Sequence, residues 1–235
     1  MTADKRILKP SVLLAPVPVV LVSCQTKDSR PNLLTIAWAG TVCSDPPMVS
    51  ISIRPSRLSH ELISQSGEFV INLVNDTLLK ATDFCGVRSG RDLDKFAACQ
   101  LDAIPAEGMR FAPAVRQSPL TLSCRVRQCI PLGSHDCFLA EVVAVEADPV
   151  LFDQSDRLAL EEAGLVAYSH GQYYALGRML GFFGYSVAAP DVLSRRMAHR
   201  QVPDQPKQGR TSGRSNRRQT SRAPRRRKKT PGQSF

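Results

Sequence analysis

The sequence lacks nearly every short motif that announces a chemistry. It has no Walker A loop, no GxGxxG, no HExxH and no GxSxG. Those absences remove glycine-loop nucleotide sites, zincin-type metal sites and nucleophile elbows from consideration. No apolar run approaches the ~20 residues that a membrane-crossing helix needs, so no membrane partner is expected. The seven cysteines (Cys24, Cys43, Cys85, Cys99, Cys124, Cys129, Cys137) form no CxxC and no metal-ligand spacing. An odd, scattered set reads as reduced thiols of a cytoplasmic protein, with no metal centre expected.

Charge is present in excess but in one place. The 235 residues carry 31 Lys and Arg against 21 Asp and Glu, a net charge of +10. Residues 191–235 hold 14 of the cations and 2 of the acids, so the first 190 residues are slightly acidic at −2. The body reads as an ordinary globular composition, long enough for one buried core. Residues 188–235, rich in Pro, Arg, Ser and Gln, cannot bury enough apolar surface to offset their ordering entropy. They read as a disordered basic tail ending in Arg225-Arg226-Arg227-Lys228-Lys229. Such a tail would attract polyanions with steep salt dependence, so nucleic acid is a candidate partner through the tail alone; the alternative is a solubilising extension with no partner. Phe235 is its one aromatic residue, which argues against base stacking.

Lys5, Arg6 and Lys9 precede the apolar stretch Val12–Val22, an arrangement loosely like a secretory leader. Pro16 and Pro18 are costly in a helical leader, and Val17, Val19, Val20 and Val22 favour a strand. A strand is therefore expected over Val17–Val22. Met48–Ile53 alternates, with Val49, Ile51 and Ile53 on one face and Ser50 and Ser52 on the other. Leu120–Gln128 alternates likewise. Leu33–Val42, Phe69–Leu73 and Phe138–Val145 complete about six strands, the last apolar on both faces and therefore central. Short helices are expected at Leu58 and Leu62, from Asn75-Asp76 through Leu79, and after a capping box formed by Ser89 and Asp92. The fold class is mainly β with short helices, a sandwich or a barrel.

Two stretches can hold an anion. Thr35, Ser50 and Ser52 supply strand-borne hydroxyls, and Arg54 and Arg57 follow at the entry to a short helix. Hydroxyls, guanidinium groups and a helix N-terminus together suit a phosphate. The alternative is a sheet face with exposed serines and two surface arginines. In the second stretch, the Ser89-Gly90 turn lies among Arg88, Arg91 and Lys95. Its alternative is a capped surface helix with local ion pairs. His135, in Gly133-Ser134-His135-Asp136, is a candidate proton donor or substrate contact, or a plain turn residue. His60 and His199 read as surface residues, and His170 as intermediate.

These residues also form a recognisable order. Asn32-x-x-Thr35-x-Ala37-Trp38, Ser44-Asp45-Pro46-Pro47, the Ser50–Arg54 strand and Glu68–Asn72 come first. Cys85-Gly86-x-x-Ser89-Gly90-Arg91, Gly133-Ser134-His135-Asp136 and the glycine-rich end from Tyr173 to Gly184 follow. Over about Pro10–Val187 the sequence resembles the flavin reductase-like, FMN-binding split-barrel family, with a flavoredoxin flavour. The resemblance implies a Greek-key split β-barrel over residues 1–187, a homodimer, and FMN near the subunit interface. It places Thr35, Ile36, Ala37 and Trp38 along the flavin ring and ribityl chain and assigns Ser52, Arg54 and Ser59 to the phosphate. It has Cys85, Gly86, Ser89 and Lys95 close over the flavin, and counts Asn32 and Ser50 among the cofactor-binding residues. His135 corresponds to a position near the nicotinamide of a reductant.

The activity so implied is an NAD(P)H-dependent flavin oxidoreductase, passing hydride from NAD(P)H to N5 of FMN and onward to an unknown acceptor. The alternative is an FMN electron carrier reduced by a protein partner, with little NAD(P)H activity. Neither needs an acid–base pair, because holding two rings in contact is the protein's main task.

Overall fold

A computed structural model of the chain describes residues 5–198. Those up to Gly177 form one compact unit, and those from Arg178 onward form another. In the first unit the opening strands are β1 (Val17–Pro18), β2 (Val20–Cys24), β3 (Asn32–Ile36), β4 (Ala39–Ser44), β5 (Pro47–Ile53) and β6 (Glu68–Leu73). Later come β7 (Ala103–Ile104), β8 (Ala114–Val115), β9 (Leu120–Pro131), β10 (Asp136–Ala147), β11 (Val166–Ser169) and β12 (Gln172–Ala175). Helices α1 (Leu58–Ser66), α2 (Leu79–Val87) and α3 (Lys95–Cys99) connect strands in the first half.

Seven strands make one antiparallel, curled sheet in the order β3-β2-β6-β9-β10-β5-β4. This is the split β-barrel, mainly β with few short helices. β10 lies between β9 and β5, as its apolar residues on both faces required. β11 and β12 form a hairpin that pairs with β1, and His170 (φ 53°) and Gly171 (φ 83°) occupy its turn. Of the stretch weighed as a leader, Val17–Pro18 and the start of Val20–Cys24 enter the fold as strand, the latter buried throughout, whereas Val12 and Leu14 are exposed.

Alternation on β2 divides the core. Val20, Val22 and Cys24 join Ile51, Ile53, Phe69 and Phe138 inside the curl. Leu21 and Val19 face the other way, where Leu33, Val74, Leu78, Cys85 and Phe96 bring α2 and α3 onto the sheet. At about 1.5–3 kcal/mol for each large apolar side chain removed from water, these two layers hold the sheet and helices in register.

The expected strand Leu33–Val42 divides at Ala37-Trp38. β3 and β4 are the two edges of the seven-stranded sheet, so the chain must cross from one edge to the other between Ile36 and Ala39. A continuous apolar run hides that crossing from a periodicity argument. The third helix also starts later than expected. Asp94, not Ser89, accepts from the Ala97 N–H (3.1 Å) and caps α3. Ser89 Oγ instead accepts from the Arg91 N–H (3.2 Å), a local turn that a serine–aspartate spacing also allows.

In the second unit Gly184 takes a left-handed φ of 84° before a short turn at Tyr185–Val187. Helix α4 (Pro190–Ala198) follows, so the start of the segment read as disordered is helical. Pro190 opens it, Asp191 lies in its first turn, and Arg195 and Arg196 lie in its last, which suits the helix dipole. The remainder of the basic tail lies outside the described residues.

Candidate functional site

The crossing between the sheet edges is where side chains converge. A cavity of about 400 Å³ opens beside it, walled by Thr35, Ile36, Ala37 and Trp38 from the crossing. Ser52, Ile53 and Arg54 from the end of β5, His135 from the β9–β10 turn, and Tyr168 and Tyr173 from the β11–β12 hairpin complete the wall. The His135 and Trp38 rings are 4.4 Å apart, and Ser134 Oγ is 2.9 Å from His135 Nδ1. The Tyr168 and Tyr173 rings are 5.4 Å apart, and the Tyr173 hydroxyl donates to Asp83 (3.0 Å). Burial first, then Asp83, push the Tyr173 phenol up to about 12.

A second cavity, about 230 Å³, adjoins the first, and Leu34, Arg54 and Arg57 line both. Its wall is cationic and hydroxylic: Arg54, Arg57, Arg88, Arg91 and Lys95 with Ser56, Ser59 and Ser89. No side chain caps the N-terminus of α1; the His60 N–H donates to the Arg57 carbonyl (3.0 Å), which leaves the Leu58 and Ser59 amides of the first turn for an anion. The cleft therefore has an aromatic, apolar end and an anion-binding end.

Three contacts fix the anion-binding end. Asn32 donates to Ser59 Oγ (2.8 Å) and ties β3 to the first turn of α1. Gly90 packs against this pair so closely that a Cβ there would lie 1.9 Å from Asn32 Oδ1. Lys95, buried, donates to the carbonyl oxygens of Leu33 and Cys85, both at 2.8 Å. Those two bonds leave one ammonium proton for the cavity that Lys95 lines. Burial holds the Lys95 ammonium below its ordinary pKa; Arg57 acts in the same direction, and Cys85 opposes it. His135 is likewise held below its ordinary pKa, first by partial burial and then by Arg54.

Most of the residues singled out from the sequence meet here. Thr35, Ile36, Ala37, Trp38, Ser52, Arg54 and His135 line the larger cavity, and Asn32, Arg54, Ser59, Ser89 and Lys95 line the smaller. Three do not. Ser50 lines neither cavity; its hydroxyl turns to the Gly40 carbonyl (3.5 Å). Cys85 is fully buried, with Sγ 3.8 Å from Cys99 Sγ, and only its backbone serves the site, through Lys95. Gly86 backs Thr35, whose Cβ would lie 3.4 Å from a Cβ on Gly86. His60 also differs from expectation: it pairs with Asp136 at 2.8 Å and is mostly buried. Tyr168 and Tyr173 were not anticipated as wall residues. Their tyrosine-rich stretch was visible, but only strand pairing with β1 brings it to the cleft.

Residues 13–177 match the family model described as a flavin reductase-like domain. The flavoredoxin of Desulfovibrio vulgaris (Miyazaki F) superposes with a TM-score of 0.71 at 29% identity, covering 76% of this chain and 97% of that one. The reductase component of an FADH2-dependent resorcinol hydroxylase from Rhizobium sp. is 24% identical over 153 residues, covering 63% of this chain and 82% of the relative. An uncharacterised protein of Archaeoglobus fulgidus is 28% identical over 116 residues, which is 49% of this chain and 65% of that protein.

Proposed function

The chain belongs to the flavin reductase-like family of flavin-binding oxidoreductases, and from that premise we propose that it binds FMN and is reduced by NAD(P)H. The carrying observation is a pair of cavities that share Leu34, Arg54 and Arg57, one aromatic of about 400 Å³ and one cationic of about 230 Å³. A planar ring system bearing one phosphate has that division of chemistry.

The residues present fit such a group. Arg54, Arg57 and Ser59 would hold the phosphate, with the uncapped first turn of α1 beneath it. Lys95 would add a cation fixed by two backbone carbonyls. Gly90 keeps this end open, because any Cβ there meets Asn32. Ile36, Ala37 and Trp38 would border the ring, and Ala37-Trp38 belong to neither flanking strand. When bound, FMN supplies the electron-accepting chemistry. The protein's part is to bind, orient and exclude water.

His135 and Trp38 border the aromatic end, where a nicotinamide would be received. A neutral imidazole suits that role, because it adds no charge beside Arg54. Tyr168 and Tyr173, in ring contact with each other, line the same cavity. The family resemblance further suggests a homodimer, checked by sedimentation.

The visible absorption of the FMN-loaded protein, recorded anaerobically before and after NADH or NADPH, tests the reading. Bleaching within seconds supports a reductase. Bound flavin that does not bleach supports a carrier reduced by another protein. A colourless protein after incubation with FMN contradicts both.

A further inference from the structure

A second cluster of chemistry-bearing side chains lies apart from the cleft wall. His60 on α1, Cys129 on β9 and Asp136 on β10 bring one nitrogen, one sulfur and one oxygen within 4.8 Å of one another. Strand register explains the convergence. Phe138 pairs with Cys129, and Asp136 lies two residues from Phe138 on the same strand, so all three share one face of the sheet. Helix α1 covers that face and sets the His60 ring edge-on to Phe138 (5.1 Å), with Nε2 2.8 Å from Asp136 Oδ2. His60, Cys129 and Asp136 line neither cavity of the cleft, whereas the neighbouring His135 lines the larger one.

We propose that His60, Cys129 and Asp136 form a binding site for a divalent cation of the zinc class. An imidazole, a thiolate and a carboxylate are the donor types that zinc takes, and three protein ligands leave a fourth position for water. Bond lengths of about 2.0–2.3 Å place tetrahedral ligand atoms roughly 3.3–3.8 Å apart. The His60–Asp136 separation, 2.8 Å, is already below that span, and all three ligand atoms lie within 4.8 Å of one another, so a shift of about 1 Å brings them to it. Cys129 is exposed and provides the entry side, whereas the other two side chains are each only 17% exposed and held by packing. Binding releases the Cys129 thiol proton to solvent and replaces the His60–Asp136 contact with two bonds to the cation. No spacing rule reveals such a site, because its ligands come from three elements. It does not depend on flavin binding.

The purified full-length chain is titrated with Zn2+ by calorimetry and with Co2+ by visible spectroscopy, under reducing conditions. One equivalent is expected to bind, with the absorption of a thiolate-ligated, four-coordinate Co2+. Cys129→Ser and His60→Gln should each weaken affinity by more than the roughly 10–100-fold that loss of an outer-shell partner costs. Cys129→His, which restores a donor, should recover much of it, and Cys43→Ser should leave it unchanged. Failure of the parent chain to bind, or variants Cys129→Ser and His60→Gln that bind as tightly as the parent, overturns the proposal.

Discussion

The imidazole of His135 lies 4.4 Å from the ring of Trp38, tilted by 52°. That contact joins the turn between β9 and β10 to the chain crossing between the two edges of the barrel. It builds one wall of the larger cavity from residues distant in sequence. Replacing His135 with Ala opens the wall without touching the anion-binding end. Flavin bleaching by NADH should slow by about tenfold through lost positioning. FMN affinity should change much less. Stopped-flow mixing and an equilibrium FMN titration, run on the same variant, separate the two effects.

The same histidine carries a pH signature. Its folded pKa lies below the ordinary 6.5, so the unfolded chain takes up the proton first as pH falls. The stability contribution is therefore fully present above 6.5 and is lost on acidification. An NMR titration of the imidazole C–H resonance should show a midpoint below the free-histidine value. Arg54→Gln, which removes the repelling cation, should move that midpoint upward.

Gly90 tests the close approach at the other end. A methyl group there meets Asn32 Oδ1 at 1.9 Å and Leu58 Cδ2 at 3.2 Å, so the Asn32–Ser59 bond must give way. Gly90→Ala should cost about 1–3 kcal/mol of fold stability, read from urea unfolding of the flavin-free protein. FMN affinity should fall with it, whereas Gly40→Ala, where a Cβ meets nothing within 4 Å, should leave both nearly unchanged.

Buried thiols give an alkaline prediction. Burial pushes Cys24 up to about 11, and Cys85 and Cys124 each up to about 12. All three begin from 9.0 in the free chain, so the unfolded state loses these protons first. Their contribution is full below about pH 9 and is lost as pH rises toward the folded values. Thermal midpoints measured under reductant between about pH 8 and about pH 11 should fall. The slope should flatten in the variant carrying Cys24→Ala, Cys85→Ala and Cys124→Ala, although that variant starts less stable.

Residue patterns carried the fold further than they carried the site. The alternation of Val49, Ile51 and Ile53 with Ser50 and Ser52 placed β5 and its two faces correctly, because a period of two leaves little freedom. Arg54 with Arg57, and Ser89 with Lys95, each suggested an anion. Their union in one cavity was not legible, since it depends on Gly90 reaching Asn32 across the fold. Ser50 shared the pattern of Ser52 but sits too far along β5 to reach the cleft. The division at Ala37-Trp38 was hidden inside an unbroken apolar run. His60 looked like a surface residue because its partner, Asp136, comes from a distant strand.

In the proposed function, Arg54, Arg57 and their neighbours bind the phosphate of a flavin whose ring occupies the aromatic end. The most direct test compares the affinities of FMN and riboflavin for the parent protein and for Arg54→Gln/Arg57→Gln. A charge-assisted hydrogen bond contributes about 1.5–3 kcal/mol, roughly 10–100-fold in affinity. The parent should therefore prefer FMN strongly, and the double variant should lose most of that preference while still binding riboflavin. Equal affinity of the parent protein for the two flavins would contradict the assignment.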